Sequence, residues 1–313
     1  MNSTMRKFDA ESRSTVEIVE VAARDGLQNE QQIFSTAQKV ALIGKMVAAG
    51  ARRIEVASFA RPDRVPQMAD AEAVIAALDL PSAIVTIGLV MNMKGALRAL
   101  ETSVGQIGAV CVATDTFAQA NQGQTAEESV AVATRIVAFA RGEGRPAQVT
   151  IAAAFGCPFE GEVPPERVIH FARRIADSGP VEVALADTIG VAVPAQVADL
   201  VGRVREAIGG LPIRVHLHNT RNTGIANAWA AVEAGASTLD AALGGIGGCP
   251  FAPTATGNIA TEDLLYLLDR SGVASGYDLA RTIDAAHWLA GEMGRPLPAL
   301  VSRVGTFPSP VSA

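Results

Sequence analysis

The feature that most constrains the fold is a recurring unit, in which a helix-like stretch stops at a glycine and a short β-branched run follows. The unit is visible in KMVAAGARRIEVAS (45–58), RRIADSGPVEVALAD (173–187) and AAVEAGASTLDAAL (230–243). A glycine just past a helix supplies the left-handed conformation that ends it. The run after the glycine is short and largely apolar, which indicates a buried strand. Each unit is therefore the αβ half of a βαβ element.

Eight such apolar runs occur along the chain, and amphipathic stretches separate them. The predicted strands are 16–21, 53–58, 83–89, 108–113, 147–153, 181–186, 213–218 and 237–243. The predicted helices include 36–49, 67–78, 125–142, 164–177, 194–207 and 222–234, several of which open with capping chemistry at Ser35, Thr125 or Pro164–Pro165.

Eight strands that alternate with helices predict an α/β fold, the (β/α)8 TIM barrel. The alternative is an open doubly wound sheet, which is disfavoured because no G-x-G-x-x-G follows the first strand. We expect a single domain over residues 1–313. Its barrel would span about 16–272, and a C-terminal helical extension would follow at about 273–313.

Composition argues against several classes of partner. A net charge of −6 disfavours nucleic acid, because phosphate binding needs a basic surface. The polar opening MNSTMRKFDAESRST lacks the apolar centre of a signal peptide, and no apolar run reaches the roughly 18 residues of a membrane helix. Three cysteines make no disulfide framework, which predicts a reducing, cytoplasmic compartment.

Polar residues gather at the predicted carboxyl ends of the strands, where TIM barrels place their chemistry. His216 and His218 are two positions apart on one strand, so they project into the same space. Two imidazoles with carboxylate and amide oxygens suit a hard or borderline divalent cation, although a hydrogen-bonding role is the plainer alternative for a lone histidine. The residues expected around this mouth are Asp25, Glu55, Asp187, His216, His218 and Asn258.

Arg24 has two open interpretations. It could form a structural ion pair with Glu55 or Asp187, or it could stabilise a developing oxyanion or enolate.

The cysteines differ in what their surroundings indicate. Cys249 lies in the glycine-rich GGIGGCPFAPTATGN, where it is either a lid residue that carries a proton or an incidental small residue. Cys157 repeats the G-C-P-F tetrad, which weakens any argument from that tetrad alone. Cys111 is expected in the core, and His170 and His287 are expected to be structural or surface residues.

Motifs along nearly the whole predicted barrel resemble those of the hydroxymethylglutaryl-CoA (HMG-CoA) lyases. They are EVAARDGLQNE, IEVASFARPDRVPQM, GCPFEG, ADTIGV, HLHN and GGIGGCPFAPTATGNIATEDLLYLL, in family order from about residue 16 to 270. The pairing of RDGLQNE with the GGCP and TGN-x-ATEDL segments is the most specific part. The resemblance implies a carbon–carbon lyase that cleaves a 3-hydroxy-3-substituted glutaryl-CoA to acetyl-CoA and a keto acid, as in leucine degradation.

The resemblance also implies roles for single residues. Arg24 would neutralise the enolate of the departing acyl-CoA, Gln28 would lie near the substrate, and Cys249 would be a lid cysteine in proton transfer. The implied metal ligands, for Mg²⁺ or Mn²⁺, are Asp25, His216, His218 and Asn258. Glu55 and Asp187 match acidic residues around the metal and substrate, and Glu262 and Asp263 match a structural or capping motif. Family members are often dimers, so we expect a homo-oligomer.

The chain departs from the family at several positions. Asn219 stands where the lyases usually have aspartate, and H-x-H-N is familiar from the condensing relatives, the isopropylmalate and homocitrate synthases. Further departures are Asp63, Arg64, Ala152, Ala153 and the stretch after Asn219. They predict an altered acyl preference, with a citramalyl-type thioester as one alternative substrate.

Two other functions stay open. A Claisen-type synthase on a 2-keto acid would normally carry a long C-terminal extension, whereas this chain ends about forty residues past the predicted barrel. A metal-binding paralogue without turnover is disfavoured because every implied ligand and lid residue is present.

Overall fold

The computed structural model describes residues 15–248 and 257–307. Within them, eight parallel strands pair in chain order and the last closes onto the first, which confirms the predicted TIM barrel. The strands are β1 (Glu17–Glu20), β2 (Arg53–Ser58), β3 (Val85–Val90), β4 (Gln106–Val112), β5 (Ala147–Ala152), β6 (Val183–Asp187), β7 (Ile213–Leu217) and β8 (Thr238–Ala241). Each lies within two residues of its predicted bounds.

Helices cover the outside of the barrel. They are α1 (Thr36–Ala48), α2 (Ala71–Ala77), α3 (Met93–Leu100), α4 (Asp115–Gln122), α5 (Ala126–Gly142), α6 (Pro165–Asp177), α7 (Pro194–Ala207), α8 (Gly224–Glu233), α9 (Thr261–Arg270), α10 (Leu279–Met293) and α11 (Val301–Val304). Ser35 and Thr125 form the capping boxes that start α1 and α5. The helix predicted at 67–78 is shorter, because a 3₁₀ turn at Pro66–Met68 takes its start. None of the helices described is both long and apolar enough to span a bilayer.

A π-helical turn, Ala22–Gly26, follows β1 directly. Its signature is the bond from Gly26 N to Val21 O at 3.1 Å, which spans five residues instead of the four of an α-helix. This turn carries Arg24 and Asp25 to the C-terminal end of the barrel.

The barrel interior is polar, although its strands read as apolar runs. Arg53 on β2 donates to Glu182 and to Gln106, with a separation of 3.3 Å between its Nη2 and Gln106 Oε1. Arg214 on β7 donates in the same way to Gln148 Oε1 at 2.8 Å. Buried charges persist in a protein interior only when they are paired and hydrogen-bonded, so these contacts fix the strands relative to one another.

Glu20 fastens the chain at the end of β1 to two later segments. Its Oε1 accepts hydrogen bonds from Ala22 N at 3.0 Å and Leu243 N at 2.9 Å, and its Oε2 accepts one from Thr261 Oγ1 at 2.7 Å. Burial raises the pKa of this carboxyl to about 7. The group therefore ties β1 to the turn after β8 and to the start of α9.

Glu20→Gln should remove a pH dependence that this carboxyl gives to stability. The folded pKa of about 7 lies above the ordinary value of 4.5, so folding favours the protonated form. Stability is then full below about pH 4.5 and falls as the pH rises towards about 7. An amide carries no such penalty. From pH 5 to pH 8 the wild type should lose about 2 kcal/mol more unfolding free energy than the variant.

Urea titrations at both pH values measure this difference. Glu143→Gln, on the exposed end of α5, serves as the matched control and should follow the wild type. Parallel curves for wild type and Glu20→Gln would contradict the prediction.

Candidate metal centre and active site

A cavity of about 160 Å³ opens where the polar strand ends meet. Its polar wall comes from the π-helical turn, β7 and β8, and its apolar wall comes from β3, β4 and α4. The lining includes Arg24, Asp25, Gln28, Leu89, Met91, Val110, Val112, Phe117, Asn121, Thr150, Ala152, Ala186, Thr188, Arg214, His216, His218 and Asp240. A polar side faces an apolar side, which suits a small acid with an alkyl substituent.

Asp25, His216 and His218 converge as a possible metal-binding group. Asp25 Oδ2 lies 3.9 Å from His216 Nε2 and 3.8 Å from His218 Nε2, and the two Nε2 atoms are 3.1 Å apart. A point equidistant from these three atoms lies about 2.1 Å from each, and small divalent cations bind oxygen and nitrogen at about that distance. The residues present therefore fit a divalent cation.

Asn258 adds a fourth potential ligand atom. Its segment lies along the end of β7, where Ile259 N donates to Leu217 O at 3.1 Å. Its Nδ2 donates to Asp25 Oδ2 at 2.8 Å and to Ile246 O at 3.1 Å. Both partners are acceptors, so the orientation of the amide is fixed. Oδ1 is left buried with no partner among the described residues, as expected of an atom that a cation would engage.

Arg24 is held from two sides. Its Nε and Nη2 donate to Glu55 Oε2 at 3.0 and 2.6 Å, and its Nη1 donates to Asp25 Oδ1 at 2.5 Å. These bonds use three of the five guanidinium N–H groups, and the other two have no hydrogen-bond partner among the described residues. Of the two ion-pair partners considered from the sequence, Glu55 is the one present. That ion pair positions Arg24 and leaves its oxyanion-stabilising role open.

The charge of Arg24 also sets the state of Asp25. Burial acts to raise the pKa of this carboxyl, but the adjacent Arg24 charge and the hydrogen bond to His218 hold it well below its usual range. Asp25 is therefore an anion at neutral pH, as a carboxyl group has to be in order to bind a cation.

Asp187 and Gln28 differ in how they meet the cavity. Both oxygens of Asp187 accept backbone N–H groups, from Val191 at 2.9 Å and Ala192 at 3.0 Å, and the residue is fully buried behind the wall. It holds the turn that carries Thr188 to the cavity. Gln28 does line the cavity, and its Oε1 is buried without a partner in the described part of the chain. Cys249 lies outside the described residues.

Sequence reasoning missed two residues of the site, Arg214 and Asp240. Asp240 Oδ2 lies 2.9 Å from His216 Nδ1, and Asp240 pairs with Arg214. Burial opposes the charge of Asp240, but Arg214 lowers the pKa of the carboxyl below its ordinary value. The alternation that pointed to His216 and His218 could have found Arg214, which lies two positions earlier on the same strand face.

Asn219 does not line the cavity. Its Oδ1 accepts a hydrogen bond from Gly224 N at 3.0 Å, at the start of α8. An aspartate could accept the same bond, because its carboxylate oxygens are acceptors as the amide oxygen is. The departure at this position therefore changes a helix start and not a direct contact with the cavity.

The HMGL-like family model matches residues 15–289. The chain belongs to the HMGL-like family. Its resemblance to the HMG-CoA lyases is thereby confirmed, and the protein is a carbon–carbon lyase. A (R)-citramalyl-CoA lyase of Chloroflexus aurantiacus is 45% identical to this HMGL-like protein over 308 residues, which cover 95% of this chain and 97% of that one.

Two HMG-CoA lyases are more distant. YngG of Bacillus subtilis is 34% identical over 283 residues, which cover 90% of this HMGL-like chain and 95% of that one. An HMG-CoA lyase structure from Acinetobacter baumannii, in complex with coenzyme A and 3-methylmalate, is 37% identical with a TM-score of 0.90. That match covers 98% of this chain and all of the other. The similarity to known lyases thus extends over almost the whole chain.

His216→Ala should abolish tight metal binding and activity together, because it removes one of the three converging ligand atoms. Isothermal titration of the metal-free protein with Mn²⁺ measures metal binding, and the rate of product formation measures activity. His170→Ala, on the exposed side of α6, is the matched control and should bind the metal as the wild type does. Full metal stoichiometry in His216→Ala would place the binding site elsewhere.

Proposed function

We propose that the protein cleaves a citramalyl-CoA-type thioester to acetyl-CoA and pyruvate by a retro-Claisen reaction. The observation that carries this proposal is the 45% identity to a (R)-citramalyl-CoA lyase over nearly the full length of both chains, against 34–37% for the HMG-CoA lyases compared above. HMG-CoA is the second candidate substrate, favoured by the family resemblance and by those same relatives.

The two substrates differ by one methylene between the carbinol carbon and the distal carboxylate. In citramalyl-CoA the hydroxyl, the methyl group and the carboxylate share one carbon, so the acyl group is more compact. The 3-methylmalate in the Acinetobacter baumannii enzyme is also a 2-hydroxy acid, which supports a place for that grouping in related sites.

We assign Asp25, His216, His218 and Asn258 as the residues that would hold Mg²⁺ or Mn²⁺. Three of them offer ligand atoms in one small triangle, and Asn258 offers a buried oxygen without a partner. When bound, the cation would lower the pKa of the substrate's tertiary hydroxyl.

Arg24 would stabilise the charge that develops during cleavage. A base takes the hydroxyl proton, the carbinol carbon becomes a carbonyl, and the electrons of the broken C–C bond move onto the thioester oxygen. The two free N–H groups of Arg24 can donate to that enolate oxygen, and a guanidinium stays charged throughout. Glu55 contributes by holding Arg24 in place through two hydrogen bonds.

The enolate carbon then takes a proton to give acetyl-CoA. By the family resemblance we assign that proton transfer to Cys249. Gln28 Oε1, which is buried at the cavity wall, would accept a hydrogen bond from the substrate. We assign Asp187 the role of fixing the turn that carries Thr188, in place of direct participation in the chemistry.

Steady-state kinetics with both thioesters test the substrate assignment. We expect kcat/KM for (R)-citramalyl-CoA to exceed that for HMG-CoA by at least about tenfold, since one misplaced methylene costs roughly 1–3 kcal/mol. Mass spectrometry should detect pyruvate and acetyl-CoA as products. A preference for HMG-CoA with acetoacetate as product would support the second candidate, and product only from acetyl-CoA and a 2-keto acid would support a synthase.

Arg24→Lys should lower kcat by about 10²–10³-fold, because a lysine keeps the charge but cannot bond Glu55 and the enolate oxygen together. Mn²⁺ affinity should change little, since Arg24 is not a ligand. Arg281→Lys, at the exposed start of α10, is the control and should leave both quantities unchanged. A kcat near that of the wild type would show that Arg24 does not act on the enolate.

From the resemblance we also propose that the chain forms a homodimer, and from its cysteine usage that it works in the cytoplasm. Light scattering coupled to size-exclusion chromatography measures the number of subunits, and cell fractionation shows the compartment.

A further inference from the structure

Asp240 lies in β8, only 3% exposed, between two side chains of β7. Its Oδ2 lies 2.9 Å from His216 Nδ1 and accepts a bond from Arg214 Nη2 at 2.8 Å, while its Oδ1 accepts a bond from Arg214 Nε. Arg214 donates from Nη1 to Gln148 Oε1 at 2.8 Å. Arg214 therefore holds both oxygens of the carboxylate, and Oδ2 is shared between Arg214 Nη2 and His216 Nδ1.

This contact determines which nitrogen of His216 carries the proton. An ionised carboxylate accepts hydrogen bonds and cannot donate one. Nδ1 of His216 must then hold the ring proton, and Nε2 presents its lone pair to the space shared with Asp25 and His218. In the other tautomer, a hydrogen on Nε2 would occupy the place of the cation.

We propose that Asp240 is a positioning residue of the metal centre, which fixes the tautomer and ring orientation of His216 and so determines how tightly the centre holds a divalent cation. Arg214 supports it by fixing the plane of the carboxylate. The inference rests on the metal site of the proposed function and assigns roles to two residues that the family resemblance did not single out.

A purely structural role is the competing explanation. Glu182 provides the comparison, because it is as buried as Asp240 and bonds Arg53, and its Oε1 lies 3.8 Å from Arg214 Nη1. Glu182 has no bond to His216 among the described contacts. Loss of its charge perturbs the same arginine layer without changing the imidazole's partner, so Glu182→Gln is the matched control.

Asp240→Asn tests the proposal through metal affinity. An amide can replace only one of the two oxygens that Arg214 engages, so in either orientation its N–H₂ lies against an N–H of Arg214, and its neutral oxygen accepts more weakly than a carboxylate does. The bond that holds the proton on Nδ1 of His216 is then weakened or lost, and the Nε2-protonated tautomer gains population. Mn²⁺ affinity of the metal-free variant should fall by about 10–100-fold, while Glu182→Gln should stay within about threefold of the wild type. Wild-type affinity in Asp240→Asn, or equal losses in both variants, would overturn the proposal.

Nitrogen-15 NMR of the imidazoles provides a second readout, and its wild-type measurement does not depend on whether Asp240→Asn folds. The chain has four histidines, so the spectrum is simple and single replacements assign it. In the wild type with Mg²⁺ bound, His216 should be protonated at Nδ1 and bare at Nε2. In Asp240→Asn without metal, the form protonated at Nε2 should gain population relative to the metal-free wild type. A wild-type His216 protonated at Nε2 would overturn the proposal by itself.

Neither measurement uses a thioester, so failure to cleave citramalyl-CoA would overturn the substrate assignment and leave these results standing. A wild-type protein that binds no Mn²⁺ would overturn the metal centre and this inference with it.

Discussion

Arg24, Arg53 and Arg214 enter the barrel interior, where each is less than a tenth exposed. A guanidinium cannot lose its charge to suit such a place, so it must be matched by an anion. Each has a carboxylate from a different strand or turn, namely Glu55 for Arg24, Glu182 for Arg53 and Asp240 for Arg214. These cross-strand pairs fix the positions of the inward side chains. The fixed side chains in turn give the cavity its shape.

The pairing also explains why the mouth favours a cation. Around the converging ligands, Arg24 and Arg214 supply two positive charges, and Asp25, Glu55 and Asp240 supply three negative ones. The excess negative charge lies on Asp25, which the two histidines face. A divalent ion at that point would meet an anion already formed, in surroundings where few water molecules screen the attraction.

Much of the fold was predictable from the sequence, and the partners inside it were not. The glycine stops and β-branched runs located every strand, and the alternation in IRVHLH placed His216 and His218 on one face. Which side chain lies opposite which depends on the stagger of strands that are distant in sequence, and no local pattern encodes that. The sequence therefore could not show that Asp187 faces backbone amides, or that Asp240 meets His216.

The departures from the family differ in where they lie relative to the cavity. Asn219 accepts a bond from Gly224 N at the start of α8, whereas Ala152 lies on the cavity wall. A methyl group at 152 leaves space that a longer polar side chain would fill. The departure at Ala152 therefore changes a side chain that lines the cavity, and the departure at Asn219 does not.

The π-helical turn after β1 has a consequence for how the chain can vary. Consecutive side chains of a strand point to opposite faces, yet Arg24 and Asp25 both border the cavity. The extra residue in the turn makes that possible, because each step around a wider helix rotates less. Loss of one residue here would restore an ordinary α-helical turn and swing one of the two side chains out of place. The length of this segment is thus as tightly constrained as its chemistry, and insertions or deletions should be absent from it in any active relative.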